Sequence, residues 1–171
     1  MSKGHKPRFF SPEELVPKLI FTMLKERSLI LIDSRILITI DKLRERYGKF
    51  LINDWSFEGG IREQCGWRPG DSQTGEMFSQ HKFGRAVDMH PQAVDVAEIH
   101  HDLRMRPDRP CYEYITAVED NVPWLHIDVR NNSTGKIIWF SPKVKEDKTD
   151  PKKDVVMNGI LTAITSNTPK S

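Results

Sequence analysis

Cysteine is almost missing from this chain. Only Cys65 and Cys111 occur among 171 residues, far apart and in no CxxC or CxxxC arrangement. That spacing argues against a disulfide framework and a thiolate zinc site, and leaves two reduced, partly buried thiols of the kind expected in a reducing compartment. Long apolar runs are missing too: no window approaches the roughly 18 residues of a membrane-spanning helix. The first ten residues are basic but lead straight into Ser11-Pro12-Glu13-Glu14, with no apolar stretch between. No secretory signal is expected from that pattern. An excess of one charge is also lacking, since 26 Lys and Arg stand against 24 Asp and Glu, a net +2 with a pI near 8.5. Such a balance permits weak attraction to an anionic polymer such as a bacterial wall. It offers no clustered basic face, so a nucleic-acid partner is not expected.

Present instead are 37% hydrophobic and 29% charged residues, enough for one soluble core. Ser11, Pro12 and Glu14 read as cap, first helical position and capping-box acid, so a helix is expected from 11 to about 27, with Leu15, Leu19 and Met23 on its stripe. Asp33 or Ser34 caps a second helix carrying Ile36, Ile40, Leu43 and Tyr47, stopped by Gly48; part of 28–40 reads equally as strand. A short strand is expected at 49–54, then a long glycine-rich loop over 55–78, a strand at 86–89 and a helix over 91–105. Three further strands follow at 112–118, 124–130 and 136–140, the last two joined as a hairpin by 131–135. The order predicts an α+β domain over 1–142, with N-terminal helices in 11–48 and a core in 49–142, built on a small antiparallel sheet with helices on one side. Residues 143–171 change character, with a Lys-, Asp- and Glu-rich linker and then a more apolar 154–164 that reads as a docking helix or partner contact.

Chemistry concentrates in two places. Residues 79–88 hold His81 and Asp88, seven apart across Gly84 and a β-prone run; Trp124-Leu125-His126-Ile127-Asp128 puts another imidazole on a strand. Two His and one Asp form an open ligand set for a catalytic metal, most often zinc, leaving one position for water. Asp128 shares a strand face with His126 and can hydrogen-bond its imidazole or pair with Arg85 or Arg130. Ser79 reads as a hydrogen-bonding neighbour of the site, not a nucleophile. His90, His100 and His101 read as solvent-facing.

The string Ser79-x-His81-x-x-Gly84-x-Ala86-x-Asp88, followed by Trp124-x-His126-x-Asp128, resembles the zinc D-Ala-D-Ala carboxypeptidase family. Its superfamily includes phage L-alanyl-D-glutamate endopeptidases and the Hedgehog signalling domain. The likeness runs from about residue 57 to 130. It implies Zn2+ held by His81, Asp88 and His126, and a hydrolase acting on peptidoglycan stem peptides. It also implies a general base. The acidic position three before the last His is Pro123 here, a departure from one branch; the position six before it is Asp120, with Glu119 beside it as the second choice. An upstream arginine that polarises the scissile carbonyl or grips a carboxylate corresponds to Arg62 in Gly59-Gly60-Ile61-Arg62, or to Arg68. By the same resemblance the protein is expected to be a phage endolysin or virion-associated lysin, made in a host cytoplasm and acting at the cell wall, with 143–171 as a possible virion or tail contact. The alternative is a metal-binding structural module of the same fold that has lost turnover.

Overall fold

A computed structural model describes residues 4–142; the linker and docking-helix readings for 143–171 lie outside the described residues. Among the described residues there are three α-helices, α1 (Lys18–Leu24), α2 (Ser34–Tyr47) and α3 (Val96–Met105). Five short strands form one sheet: β1 (Phe50–Leu51), β2 (Ala86–Pro91), β3 (Ala117–Glu119), β4 (Leu125–Asp128) and β5 (Ile138–Phe140), in spatial order β1-β2-β4-β3-β5. The class is α+β, as the element pattern implied.

The expected first helix is broken in two. Pro12–Glu14 makes a 3-10 turn, in which Ser11 N–H donates to Glu14 Oε2 at 2.9 Å, and α1 begins only after Pro17. Pro17 lacks an N–H and disfavours helical backbone at Val16, so the two pieces cannot fuse. The break turns Leu15 and Val16 into the core while Leu19 and Met23 stay 69% and 70% exposed. Residues 25–31 form 3-10 turns, not strand, and α2 follows, with Asp33 Oδ1 accepting from Arg35 N–H at 3.0 Å as its cap. Ile36, Ile40 and Leu43 on α2 are fully buried, each contributing about 1.5–3 kcal/mol. The strand expected at 49–54 is reduced to two residues. The helix expected from 91 begins at Val96, because β2 runs on through Pro91.

The sheet is mixed, not antiparallel throughout. β2 pairs antiparallel with β1 and β4, and β4 with β3, but β5 runs parallel to β3. The expected hairpin between β4 and β5 is therefore absent; the chain after Asp128 crosses the start of β3 and descends its other side. Thr116 explains why: its hydroxyl donates to Arg130 O at 2.8 Å, and its carbonyl accepts from Ile138 N–H at 2.9 Å. One residue thus holds both ends of the crossover. The strand expected over 112–118 is also shortened, since Pro110–Tyr112 is a 3-10 turn.

Strand alternation divides the sheet into two faces. Val87, Met89, Val118, Leu125 and Ile127 point into one apolar cluster with Ile36, Ile40 and Leu43 of α2 and Ile99 and Leu103 of α3. Asp88, Ala117, Glu119, His126 and Asp128 occupy the other face by the same parity. His100, expected in solvent, is only 5% exposed because α3 turns it toward the sheet, edge-on to Trp139. His101, one residue on, is exposed, whereas His90 is half-buried, 6.4 Å from the Trp124 ring.

Candidate metal centre

His81 lies in a 3-10 turn, Gln80–Phe83, that must reverse within two residues to enter β2. Gly84 makes the reversal at φ +67; a Cβ there would meet Leu31 O at 1.9 Å, so no other residue fits. Gly84 O accepts from Asp33 N–H at 2.9 Å, which ties the turn to the start of α2. β2 then carries Asp88 into the sheet, where its Cα partner on β4 is His126. Sequence separation between Asp88 and His126 is thereby converted into cross-strand adjacency.

Three ligand atoms converge. His81 Nε2 lies 3.3 Å from His126 Nδ1 and 3.3 Å from Asp88 Oδ1, and His126 Nδ1 is 2.6 Å from Asp88 Oδ1. A tetrahedral ion with bonds of about 2.0–2.1 Å separates its ligands by about 3.3 Å. Two edges of the triangle already have that length, and the third is a hydrogen bond that opens when an ion replaces the proton. All three residues are buried. The group could hold a metal ion.

The atoms behind the triangle fit the same use. Gly66 O accepts from His81 Nδ1 at 2.7 Å, which leaves Nε2 to face the other ligands. Asp88 Oδ2 accepts from Arg68 Nη2 at 2.6 Å, leaving Oδ1 free to ligate. Asp128, with no exposed surface, sets Oδ2 3.6 Å from His126 Nε2 and also pairs with Arg130. Asp128 thus pairs with Arg130 and lies beside the His126 imidazole.

Charge in this cluster is tightly coupled. Burial opposes ionisation of Asp88, yet the two imidazoles outweigh it and hold the carboxyl well below its ordinary range. Burial, chiefly, with the charges of Arg68 and His126 beside it, lowers the pKa of His81 against the pull of Asp88. Burial would also lower that of His126, but hydrogen bonds to Asp128 and Asp88 win and lift it to about 9. To hold a cation His126 would release one proton, which would couple metal uptake to proton release.

The trio opens onto a cavity of about 460 Å3 whose walls include Arg68, Ser79, Glu119, Trp124, Arg130 and Phe140. Glu119 is the Cα partner of His126 across β3 and β4, on the same face. Burial raises its pKa, against the opposing charge of His126. Asp120 is elsewhere. Being the next residue, it points through the sheet to α3, where Arg104 Nη2 donates to its Oδ2 at 2.6 Å and His100 Nδ1 lies 3.4 Å from Oδ1. Val118 was the overlooked signal: an apolar residue at 118 marks the core parity, which 120 shares and 119 does not.

Of the two arginines, Arg62 is not among the cavity walls. Its side chain pairs with Asp54 at 2.5 Å, and its N–H donates to Asp54 Oδ1 at 2.6 Å, closing the neck of the 55–78 loop. Arg68, only 8% exposed, is the one brought to Asp88. Ser79 lines the cavity, and among the described residues its hydroxyl makes no bond to the three ligands. The far part of the loop, with Thr74, Gly75, Glu76 and Phe78, forms the cavity's rim. Cys65 and Cys111 are free thiols, and burial lifts the Cys65 pKa to about 11, which disfavours its thiolate. No described helix is long and apolar enough to cross a membrane.

Compared with family models, curated proteins and solved structures, the chain matches none.

Proposed function

We propose that this protein is a zinc-dependent peptidase cleaving peptidoglycan stem peptides, of the D-Ala-D-Ala carboxypeptidase or L-Ala-D-Glu endopeptidase type. The observation that carries the reading is a near-tetrahedral ligand triangle with a half-buried carboxylate directly across from it, in one cavity. The resemblance of 79–88 and 124–128 to the zinc carboxypeptidases supplies the substrate class; the geometry supports the chemistry. His81 Nε2, Asp88 Oδ1 and His126 Nδ1 would hold the ion. A bound zinc would supply Lewis acidity toward a carbonyl oxygen and lower the pKa of a water.

The remaining work falls to this chain's own groups. Glu119 accepts the proton of the attacking water and returns it to the leaving amine, a role its raised pKa suits because an acid–base group works best near the operating pH. Arg68 occupies Asp88 Oδ2 and so leaves Oδ1 toward the imidazoles. Asp128 and the Gly66 carbonyl hold the two imidazoles in the ligating tautomer. Trp124, Phe140 and Phe78 wall the cavity and limit water around the reacting bond.

The test uses purified peptidoglycan incubated with protein and zinc, with mass spectrometry of new amino termini. Cleavage is expected with zinc, and none with chelator or with Glu119→Gln. Intact peptidoglycan with the metal demonstrably bound would overturn the peptidase reading in favour of a metal-binding module without turnover.

A further inference from the structure

A second arginine reaches the cavity, from the end of β4. Arg130 follows Asp128 by two residues and lines the same cavity as the ligand trio. Its Nε donates to both Asp128 oxygens at 2.9 Å, its Nη2 donates to Oδ2, and the guanidinium lies 4.9 Å from the centre of the Phe140 ring. Carboxylate on one edge and aromatic face beneath fix the plane of the group.

A guanidinium carries five N–H donors on two bidentate edges, one made by Nε and Nη2, the other by Nη1 and Nη2. Asp128 occupies the first. Among the described residues none takes the second, and the side chain is 33% exposed. The other two arginines considered for this role are already committed: Arg62 to Asp54, outside the cavity, and Arg68 to Asp88 and the Gln64 carbonyl. Arg130 therefore offers the more exposed guanidinium edge in the cavity, its side chain 33% exposed against 10% for Arg68.

We propose that Arg130 is the specificity-determining residue of the site, binding a carboxylate of the ligand through its Nη1–Nη2 edge. The inference rests on the peptidase reading and sharpens it: the preferred substrate is a peptide with a free carboxylate beside the bond presented to the trio. A fork-to-fork contact selects a planar carboxylate over an amide, which offers one acceptor and a repelled N–H2. Because Asp128 and Phe140 have already ordered the guanidinium, little side-chain entropy is lost on binding.

Calorimetric titration of the full chain, zinc-loaded, with N-acetyl-D-Ala-D-Ala and with its C-terminal amide tests the contact. The acid is expected to bind about tenfold to a hundredfold more tightly than the amide, the range for a charge-assisted hydrogen-bond pair. Arg130→Gln should erase that preference while leaving amide affinity and zinc stoichiometry unchanged; Arg130→Lys should keep part of it, and Arg62→Gln all of it. Equal affinity of the wild-type chain for acid and amide, absence of binding included, overturns the proposal. So does an Arg130→Gln variant that weakens both ligands alike, because Arg130 would then act only through Asp128. Hydrolysis is scored separately: a chain that selects the acid but cuts nothing keeps the anchor and loses the peptidase.

Discussion

Asp88 and Asp102 each sit where several elements meet, and each is ringed by donors. Asp88 accepts from His126 and Arg68 and has the His81 imidazole 3.3 Å away. Asp102, on α3, accepts from Tyr47 Oη at 2.5 Å and Tyr112 Oη at 2.9 Å, and pairs with Arg46, Arg106 and Arg109 at 3.2–3.6 Å. Both carboxyls are held below their ordinary pKa. The difference lies in what the partners can become. A neutral imidazole nitrogen can exchange its proton for a lone pair toward a cation, so the Asp88 cluster can convert from hydrogen bonds to metal ligands. A guanidinium has no lone pair to offer, and three of them around Asp102 repel any cation. The Asp102 cluster staples α2, α3 and the Pro110–Tyr112 turn. Carboxylate count says little about function; the convertibility of the neighbours says a great deal.

The sharpest way to break this contrast is His81→Ala. It should lower zinc affinity by more than about a hundredfold, beyond the loss typical of a residue one bond removed from the metal, and abolish turnover, with circular dichroism unchanged. Zinc content after dialysis measures it. Next is Glu119→Gln, expected to cost about 10²–10⁴ in turnover at unchanged zinc content; Asp120→Asn, on the other side of the sheet, should cost far less. If the two variants fall equally, the parity argument fails. Asp128→Asn should weaken zinc by about tenfold to a hundredfold, because the His126 imidazole loses the partner that orients it.

On the Asp102 side the effects are smaller and of another kind. Asp102→Ala should lower stability by about 1–2 kcal/mol in urea unfolding, two tyrosine hydroxyls losing their shared acceptor, while zinc binding stays intact. A loss of zinc there would erase the distinction. Smallest is a pH effect. The Tyr47 hydrogen bond, chiefly, lowers the Asp102 pKa from 3.8 to about 2. A depressed carboxyl stabilises the fold fully above its unfolded value, and that contribution fades as pH falls from about 3.8 toward 2. Acid unfolding curves of Asp102→Asn should lack that component.

Much of the site was legible before any fold was known. Histidine and aspartate bracketing Gly84, and a Trp-x-His-x-Asp strand, marked the candidate ligands through the family resemblance they carry, and a tight turn needs that glycine. Less legible were the residues that act through position. Arg62 and Arg68 are both loop arginines near glycines, and only the bond to Asp54 or to Asp88 separates them. Asp120 matched a spacing, but spacing along a chain does not specify a face, and strand parity does.

What the sequence by itself determined is local: α2 with a cap at Asp33 or Ser34 and a stop at Gly48, the alternating face of β2 and β4, and two His and one Asp of a kind that could hold a metal. Each follows from periodicity or from a side chain's intrinsic chemistry, which no tertiary context alters. Only the tertiary structure decided the rest. β5 was placed beside β3, against the expectation of a hairpin, because Thr116 offers its hydroxyl and carbonyl to both ends of the crossing chain. Placed there, Phe140 packs edge-on at 5.7 Å from His126 and beneath Arg130, completing a cavity wall from a residue that no motif marked. Pairing between distant strands depends on which partners are in reach after collapse, and that information is not held in any one stretch of chain.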